Sequence, residues 1–419
     1  MLPSPWSVVV AGGGPAGYMA AITAAECAPG ARVLLLESTP EPLHKVRISG
    51  GGRCNVTHAC WDPRSLLAHY PRGGKPLLSP FHRFAPTQSV AWFAERGLAL
   101  VEEADGRLFP RSQRSQSVVD CLRQAATRAG VLQRSGEALQ RAVPLPQGGF
   151  ELTLRSGETL QSAVLVLATG SHPSGHRLSA SLGHSLEAPV PSLFTLRLEG
   201  TPLPSLAGLS ADPVNLELVI PGCSERHRQR GPLLITHWGV SGPAVLRLTA
   251  FAARDLRQSG YRAQLWIDWS GGRDPQDLRT WTASQRREQS RRQLGSSRPW
   301  PGLGRRLWDL MLQQAGVDPQ RRWADLPRVQ EQALIQALQQ SRYDVAGKGP
   351  FGEEFVTAGG VPLQEIQMAT MESRCCRGLF LAGELLNVDG VTGGFNFQHC
   401  WTSGWLAGHG VAAWLERNP

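Results

Sequence analysis

The chain has 419 residues, 41% hydrophobic and 18% charged, with 43 Lys and Arg against 34 Asp and Glu for a net charge of +9. This balance excludes a disordered or fibrous protein, and the length exceeds one ordinary core, so two or more domains are expected. No apolar run is long enough to cross a bilayer, so no membrane partner is expected. The chain enters "WSVVVAGGGPAG" without a basic leader, and the cytoplasm is the expected location. The eight cysteines form no CxxC pair, so neither a disulfide framework nor a metal site is expected.

In chain order, "SVVVAGGGPAGYMAAITAAECAPGARVLLLEST" reads as strand, glycine turn, helix and strand, a βαβ unit. "SVAWFAERGLAL" and "SQSVVDCLRQAATRAGVLQ" each read as a helix followed by a short strand. "GFELTLRSGETLQS" is a hairpin turning at Ser156-Gly157, and "AVLVLATGS" is a strand buried on both faces. From about residue 190, "SLFTLRLEG", "VNLELVIPG", "GPLLITH" and "YRAQLWIDW" alternate as antiparallel strands do. One helix-like stretch, "SGPAVLRLTAFAARDLRQ", interrupts them, and residues 275–341 carry only helical patterns. "EEFVTAGGV" and "GLFLAGELL" return to strands, and a glycine-rich turn leads into a closing helix. The expected fold class is α/β: a Rossmann-type dinucleotide domain in two parts, 1–190 plus 346–419, with an inserted β-rich domain, 191–274, and a helical subdomain, 275–345.

Gly12-Gly13-Gly14-Pro15-Ala16-Gly17 follows a strand, opens a helix and precedes an acidic residue, Glu37, at the end of the next strand. That is the dinucleotide fingerprint in its required setting. Gly12 permits the tight turn, Gly14 lets the backbone approach a pyrophosphate, and Gly17 permits close helix packing. The helix N-terminus offers free N–H groups to phosphate. Glu37, with Ser38 beside it, suits ribose hydroxyls and disfavours a 2′-phosphate. "GLFLAGELLNVDGVTGGFNFQ" offers a second approach of glycine backbone, with Gly383, Glu384, Asp389, Gly393, Gly394, Phe395 and Asn396. Two such approaches fit a long cofactor, FAD, better than NAD, and a helix starting there points positive charge at a flavin. In "KVRISGGGRCN", Gly50, Gly51 and Gly52 bring N–H groups to the cofactor. Lys45, Ser49, Arg53, Cys54 and Asn55 flank them, Arg53 to pair with phosphate or to fix the loop, and Cys54 as a packing residue. Ala168, Thr169 and Gly170 end the buried strand at the same edge.

The chain resembles the FAD-dependent flavoproteins known as BaiN-like or aminoacetone-oxidase-like NAD(P)/FAD oxidoreductases. The resemblance rests on "VVVAGGGPAGYMAA", "KVRISGGGRCNVTHA", "GRLFPRSQRSQSVVDCL", "LVLATG", "LLITHWGVSGPAVLRL", "FVTAGGVPLQEI" and "LFLAGELLNVDGVTGGFNFQHC". It implies FAD, a two-part FAD domain, and an inserted β-barrel-like domain with a helical subdomain. This chain departs from the family in the short "SHPSGHRLSASLGH" and at His399, where relatives carry an aromatic or small residue.

The expected function is an FAD-dependent oxidoreductase passing hydride through flavin N5. The donor is NAD(P)H, held transiently, or a small organic substrate, and the acceptor is an organic molecule or O₂. His399, as a general acid, and Asn55 are the catalytic candidates, set against a structural role for a histidine on a packed helix. The alternatives are an RNA-acting flavoprotein that docks RNA on "QRREQSRRQLGSSRPWPGLGRRL" and a non-catalytic FAD-binding protein. A small-molecule partner is expected, and nucleic acid is not.

Overall fold

A computed structural model describes residues 5–349 and 356–418. It divides into two units, Met1–Pro189 with Val356–Pro419, and Val190–Phe355. Of the strand expected in "EEFVTAGGV", Val356–Gly360 is present, whereas 353–355 lie outside the described residues.

The first unit is built on a parallel sheet in the order Leu379–Leu381, Thr159–Leu167, Trp6–Ala11, Val33–Glu37 and Leu132–Ser135. Val8, Val9 and Val10 are wholly buried, as apolar runs in a doubly covered sheet must be. The strand Thr159–Leu167 shows both regimes. Its first half alternates and pairs antiparallel with Phe150–Leu154; its second half, Val164–Leu167, is buried on both faces. Gly12 and Gly17 close the turn into the first helix, Pro15–Cys27. A Cβ on Gly17 would lie 1.9 Å from the Gly12 carbonyl oxygen, and one on Gly12, at φ +117°, would lie 2.3 Å from that of Ala168. Only glycine fits either place.

The two ends of the chain meet through the last helix, Phe395–Arg417, which packs along the first. Gly404 and Gly408 make that approach possible: a Cβ on Gly404 would sit 2.4 Å from the Ala16 carbonyl, and one on Gly408 2.5 Å from the Thr23 Cβ. Each interior glycine costs about 1 kcal/mol of helix propensity. The close helix contact offsets that cost.

The second unit is a closed six-stranded barrel, ordered Leu196–Glu199, Gly239–Ser241, Arg226–Thr236, Ser210–Val219, Ala263–Asp268 and Ser341–Lys348. Leu218, Leu233, Ile235, Leu265 and Ile267 fill it. Two strands were not evident in the sequence. Gly239–Ser241 is too short to show alternation. Ser341–Lys348 follows directly on a helix, and it closes the barrel across the end of the stretch read as helical, 275–345. The helices Pro275–Glu288, Arg305–Gln314 and Arg328–Gln339 share one apolar cluster with the barrel, through Leu307, Trp308, Trp323 and Leu334, in place of a separate core.

Candidate functional site

The first unit gathers three glycine turns. At the fingerprint, the Gly13 N–H donates to Glu37 Oε2 at 2.8 Å, and the Leu43 N–H donates to the Gly13 carbonyl at 2.9 Å. The other Glu37 oxygen accepts from the Ser38 hydroxyl at 3.1 Å and from the Thr39 N–H and hydroxyl at 2.8 Å. Glu37 thus holds the turn while standing at the strand end. A Cβ on Gly14 would meet nothing within 4 Å, unlike Gly12, Gly13 and Gly17. Open space therefore lies beside the helix start, where free N–H groups point.

"KVRISGGGRCN" was expected to be a loop; it ends a kinked helix, His44–Gly52, so Lys45 sits on a helix. Ser49, Gly50 and Gly51 leave helical geometry, and Gly50, Gly51 and Gly52 have φ of +57°, +67° and +82°. All three are exposed, and a Cβ on Gly51 or Gly52 would again meet open space. Ser49 donates its hydroxyl to the Val46 carbonyl. The Arg53 guanidinium is committed elsewhere: it donates to Glu103 at 2.6 Å and Gln113 at 3.1 Å, and lies 4.0 Å over the Phe109 ring. These contacts fit the loop-fixing role of Arg53. Cys54 is fully buried, with its thiol pushed up to about 12 by burial, and is inert as a nucleophile.

The C-terminal block lies against these turns. A Cβ on Gly383 would come 2.8 Å from the Ala16 Cβ, and one on Gly394 2.7 Å from the Thr57 backbone and 2.9 Å from Asn55 Oδ1. Glu384 pairs with Lys45, and a Cβ on Gly170 would lie 3.8 Å from the Glu384 carboxylate. Lys45, Gly170 and Glu384 are therefore neighbours, next to the strand end at Ala168. Asp389 is wholly buried and bound by Arg72 through both oxygens, which ties down the turn that ends at Gly394. Asn396 clamps the same turn: its amide donates to the Gly390 carbonyl and its oxygen accepts the Gly390 N–H, both at 2.8 Å. Gly393, at φ +125°, and Gly394, at +94°, give the last helix a start with no side-chain cap. Its first N–H groups carry the positive end of the dipole.

His399 is 2% exposed, and its Nε2–H donates to the Gly383 carbonyl at 3.2 Å. Burial lowers its pKa to about 4, so the ring is neutral at ordinary pH, which favours the structural role over the general acid. Several site neighbours carried no sequence signal. Gln398 accepts from the Thr57 hydroxyl at 2.6 Å and the Ser89 hydroxyl at 2.9 Å, and the Tyr70 hydroxyl donates to the Phe395 carbonyl at 2.7 Å. The His69 ring stacks on Phe395 at 4.1 Å and His58 at 4.8 Å. Their partners lie hundreds of residues away, so no local pattern reveals them.

An FAD molecule suits these residues. The Cβ-free positions Gly14, Gly51 and Gly52 face open space, and the side-chain oxygens of Asn55 and Thr169 are buried without a partner. Such orphaned atoms are expected where a ligand completes the hydrogen bonding.

Fold and fingerprint define the Rossmann-type FAD-binding oxidoreductases. Within that class the chain belongs to the family described as "HI0933-like protein Rossmann domain", which matches residues 6–410. It is 29% identical to a 3-dehydro-bile acid delta(4,6)-reductase of Clostridium scindens, over 96% of this chain and 98% of that one. It is also 29% identical to a ribosomal RNA dihydrouridine synthase of Escherichia coli, over 97% and 98%. Among solved structures, a 3-ketosteroid-delta4-(5alpha)-dehydrogenase from Rhodococcus jostii shares the fold with a TM-score of 0.51 at 17% identity, covering 98% of both chains.

Proposed function

We propose that the protein is an FAD-dependent reductase of carbon–carbon double bonds conjugated to a carbonyl. The support for FAD is the fingerprint turn Gly12–Gly17, the open space beside Gly14, Gly51 and Gly52, and the orphaned side-chain oxygens of Asn55 and Thr169. The support for the reaction class is that the two relatives described above carry names for one chemistry. A delta(4,6)-reductase saturates ring double bonds, and dihydrouridine is uridine with its C5–C6 bond saturated. In uracil that bond is conjugated to a carbonyl, as it is in a 3-keto-4,6-diene. FAD bound there would supply hydride chemistry for the carbon remote from the carbonyl, with a proton from solvent completing the neighbouring carbon.

The chain's own residues bind and orient. Glu37 accepts hydrogen bonds from the adenosine ribose, the helix start at Gly14 receives the pyrophosphate, and Asn55 and Thr169 complete their hydrogen bonds on the cofactor. Lys45 and Glu384 border it, and the start of the last helix stabilises negative charge on reduced flavin. NAD(P)H acts as a transient electron donor. Anaerobic mixing with NADH or NADPH should bleach the flavin, and a 3-keto-4-ene steroid or uridine-containing RNA should restore its colour. Bleaching followed by no reoxidation with either acceptor overturns the reductase reading; a flavin inert to every donor favours the binding protein.

A second reading, an RNA substrate, is favoured by the ribosomal RNA name of one relative and by the Arg-rich stretch 285–307. Part of that charge is already used. Arg286 pairs with Glu331 at 2.8 Å, and Arg292 donates to the Ser296 carbonyl at 2.9 Å. Arg287 and Arg291 are exposed, so their replacement by Ala tests docking without touching the fold. RNA docking predicts weaker binding and a shallower salt dependence in that double variant. An unchanged affinity removes the reading.

A further inference from the structure

The barrel unit carries a group of side chains that the cofactor site does not use. Cys223 lies in the turn after the strand Ser210–Val219, His227 in the next strand, and Asp255 on the short helix Ala253–Gln258. The Cys223 sulfur, a His227 ring nitrogen and an Asp255 oxygen all lie within 4.8 Å of one another. His227 and Asp255 already touch, Nε2 to Oδ2 at 2.8 Å, and the His227 side chain is 6% exposed against 30% for Asp255. Cys223 is half-buried and in no disulfide.

We propose that Cys223, His227 and Asp255 form a binding site for Zn²⁺ or a similar borderline-soft divalent cation. Thiolate, imidazole and carboxylate are a zinc donor set, and three protein ligands leave a fourth position for water. With metal–ligand bonds of about 2.0–2.3 Å, tetrahedral neighbours stand about 3.3–3.7 Å apart. The His227–Asp255 pair has to open by about half an ångström and Cys223 to close by at most about one and a half. Both are rotamer-scale adjustments. Binding displaces the Cys223 thiol proton, and His227 binds as the neutral ring, so affinity falls with acid. The ion ties a turn, a strand and a helix of the barrel together.

A second group, His184, Glu365 and Cys375, satisfies the same proximity but is spent. Both His184 nitrogens are hydrogen-bonded, to Glu365 and Ser373 at 2.8 Å each, and Glu365 also accepts the Ser185 N–H. A metal there would break the whole network. The His227 site forfeits one contact.

The test titrates full-length, chelator-treated protein with Co²⁺ under anaerobic conditions. Visible absorption is read beyond the flavin bands, and a thiolate charge-transfer band is read by difference. Intense tetrahedral bands that saturate at one ion per chain and disappear with Zn²⁺ are expected. Cys223→Ser should lose the charge-transfer band and bind at least about tenfold more weakly, Asp255→Asn should also weaken binding, and Cys375→Ser should leave both unchanged. Circular dichroism confirms that each variant is folded. Weak octahedral absorption, an unaltered band in Cys223→Ser, or loss of the band in Cys375→Ser overturns the proposal.

Discussion

Two glycines three residues apart, Gly14 and Gly17, separate binding from folding. A side chain on Gly14 enters open space, whereas a Cβ on Gly17 strikes the Gly12 carbonyl at 1.9 Å. Gly14→Glu should therefore fold and melt near wild type yet purify colourless, because its carboxylate fills the place of the pyrophosphate. Gly17→Val should lose several kcal/mol of stability, about the size of other severe core clashes; absorbance and thermal melts check both. His399 gives a pH prediction. Its folded pKa, about 4, lies below the ordinary value of 6.5, so the unfolded chain takes up the proton first. The stability is present above pH 6.5 and is lost as pH falls toward 4, by about 3 kcal/mol. Denaturant melts across that range should show a shallower loss in His399→Gln, and an identical profile contradicts the assignment. His58, His176 and His409 are also lowered by burial and add loss of the same sign.

Elements extend the argument to the contact between the first and last helices and to the turn before the latter. Gly404→Val cannot be accommodated beside the Ala16 carbonyl, so it should reduce flavin content as well as stability, since the shifted helix carries Gly394 and Asn396 with it. Arg72→Leu takes the guanidinium away from a wholly buried carboxylate, at a cost of about 3–5 kcal/mol; a urea melt reads it. How far the sequence reveals these elements depends on the range of the interaction. The Gly12–Gly17 turn and Val33–Glu37 are legible because strand, glycines and acid lie within one local unit. The kinked helix His44–Gly52 is not, because three glycines suppress helix propensity while Leu43, Gly13 and Arg53 hold the segment from outside. The partner of Asp389 is equally hidden: Arg72 lies 317 positions away in a segment with no periodic pattern.

Across the whole molecule, the first unit, made from both ends of the chain, carries the glycine turns proposed to hold the cofactor, and the second unit carries the excess arginines and the Cys223–His227–Asp255 group. The barrel strands Leu196–Glu199, Ser210–Val219 and Ala263–Asp268 are legible by alternation, but closure is not, since Ser341–Lys348 pairs with strands about 80 and 150 residues earlier. The central claim is that both chain ends enclose one FAD molecule used in reduction. The most direct measurement is the absorbance spectrum of the purified protein, with flavin released by denaturation and counted per chain. A chain that encloses FAD between its two ends should show oxidised-flavin bands and one non-covalent FAD per chain, bleached by NADH or NADPH. Colourless protein that takes up no added FAD would contradict it.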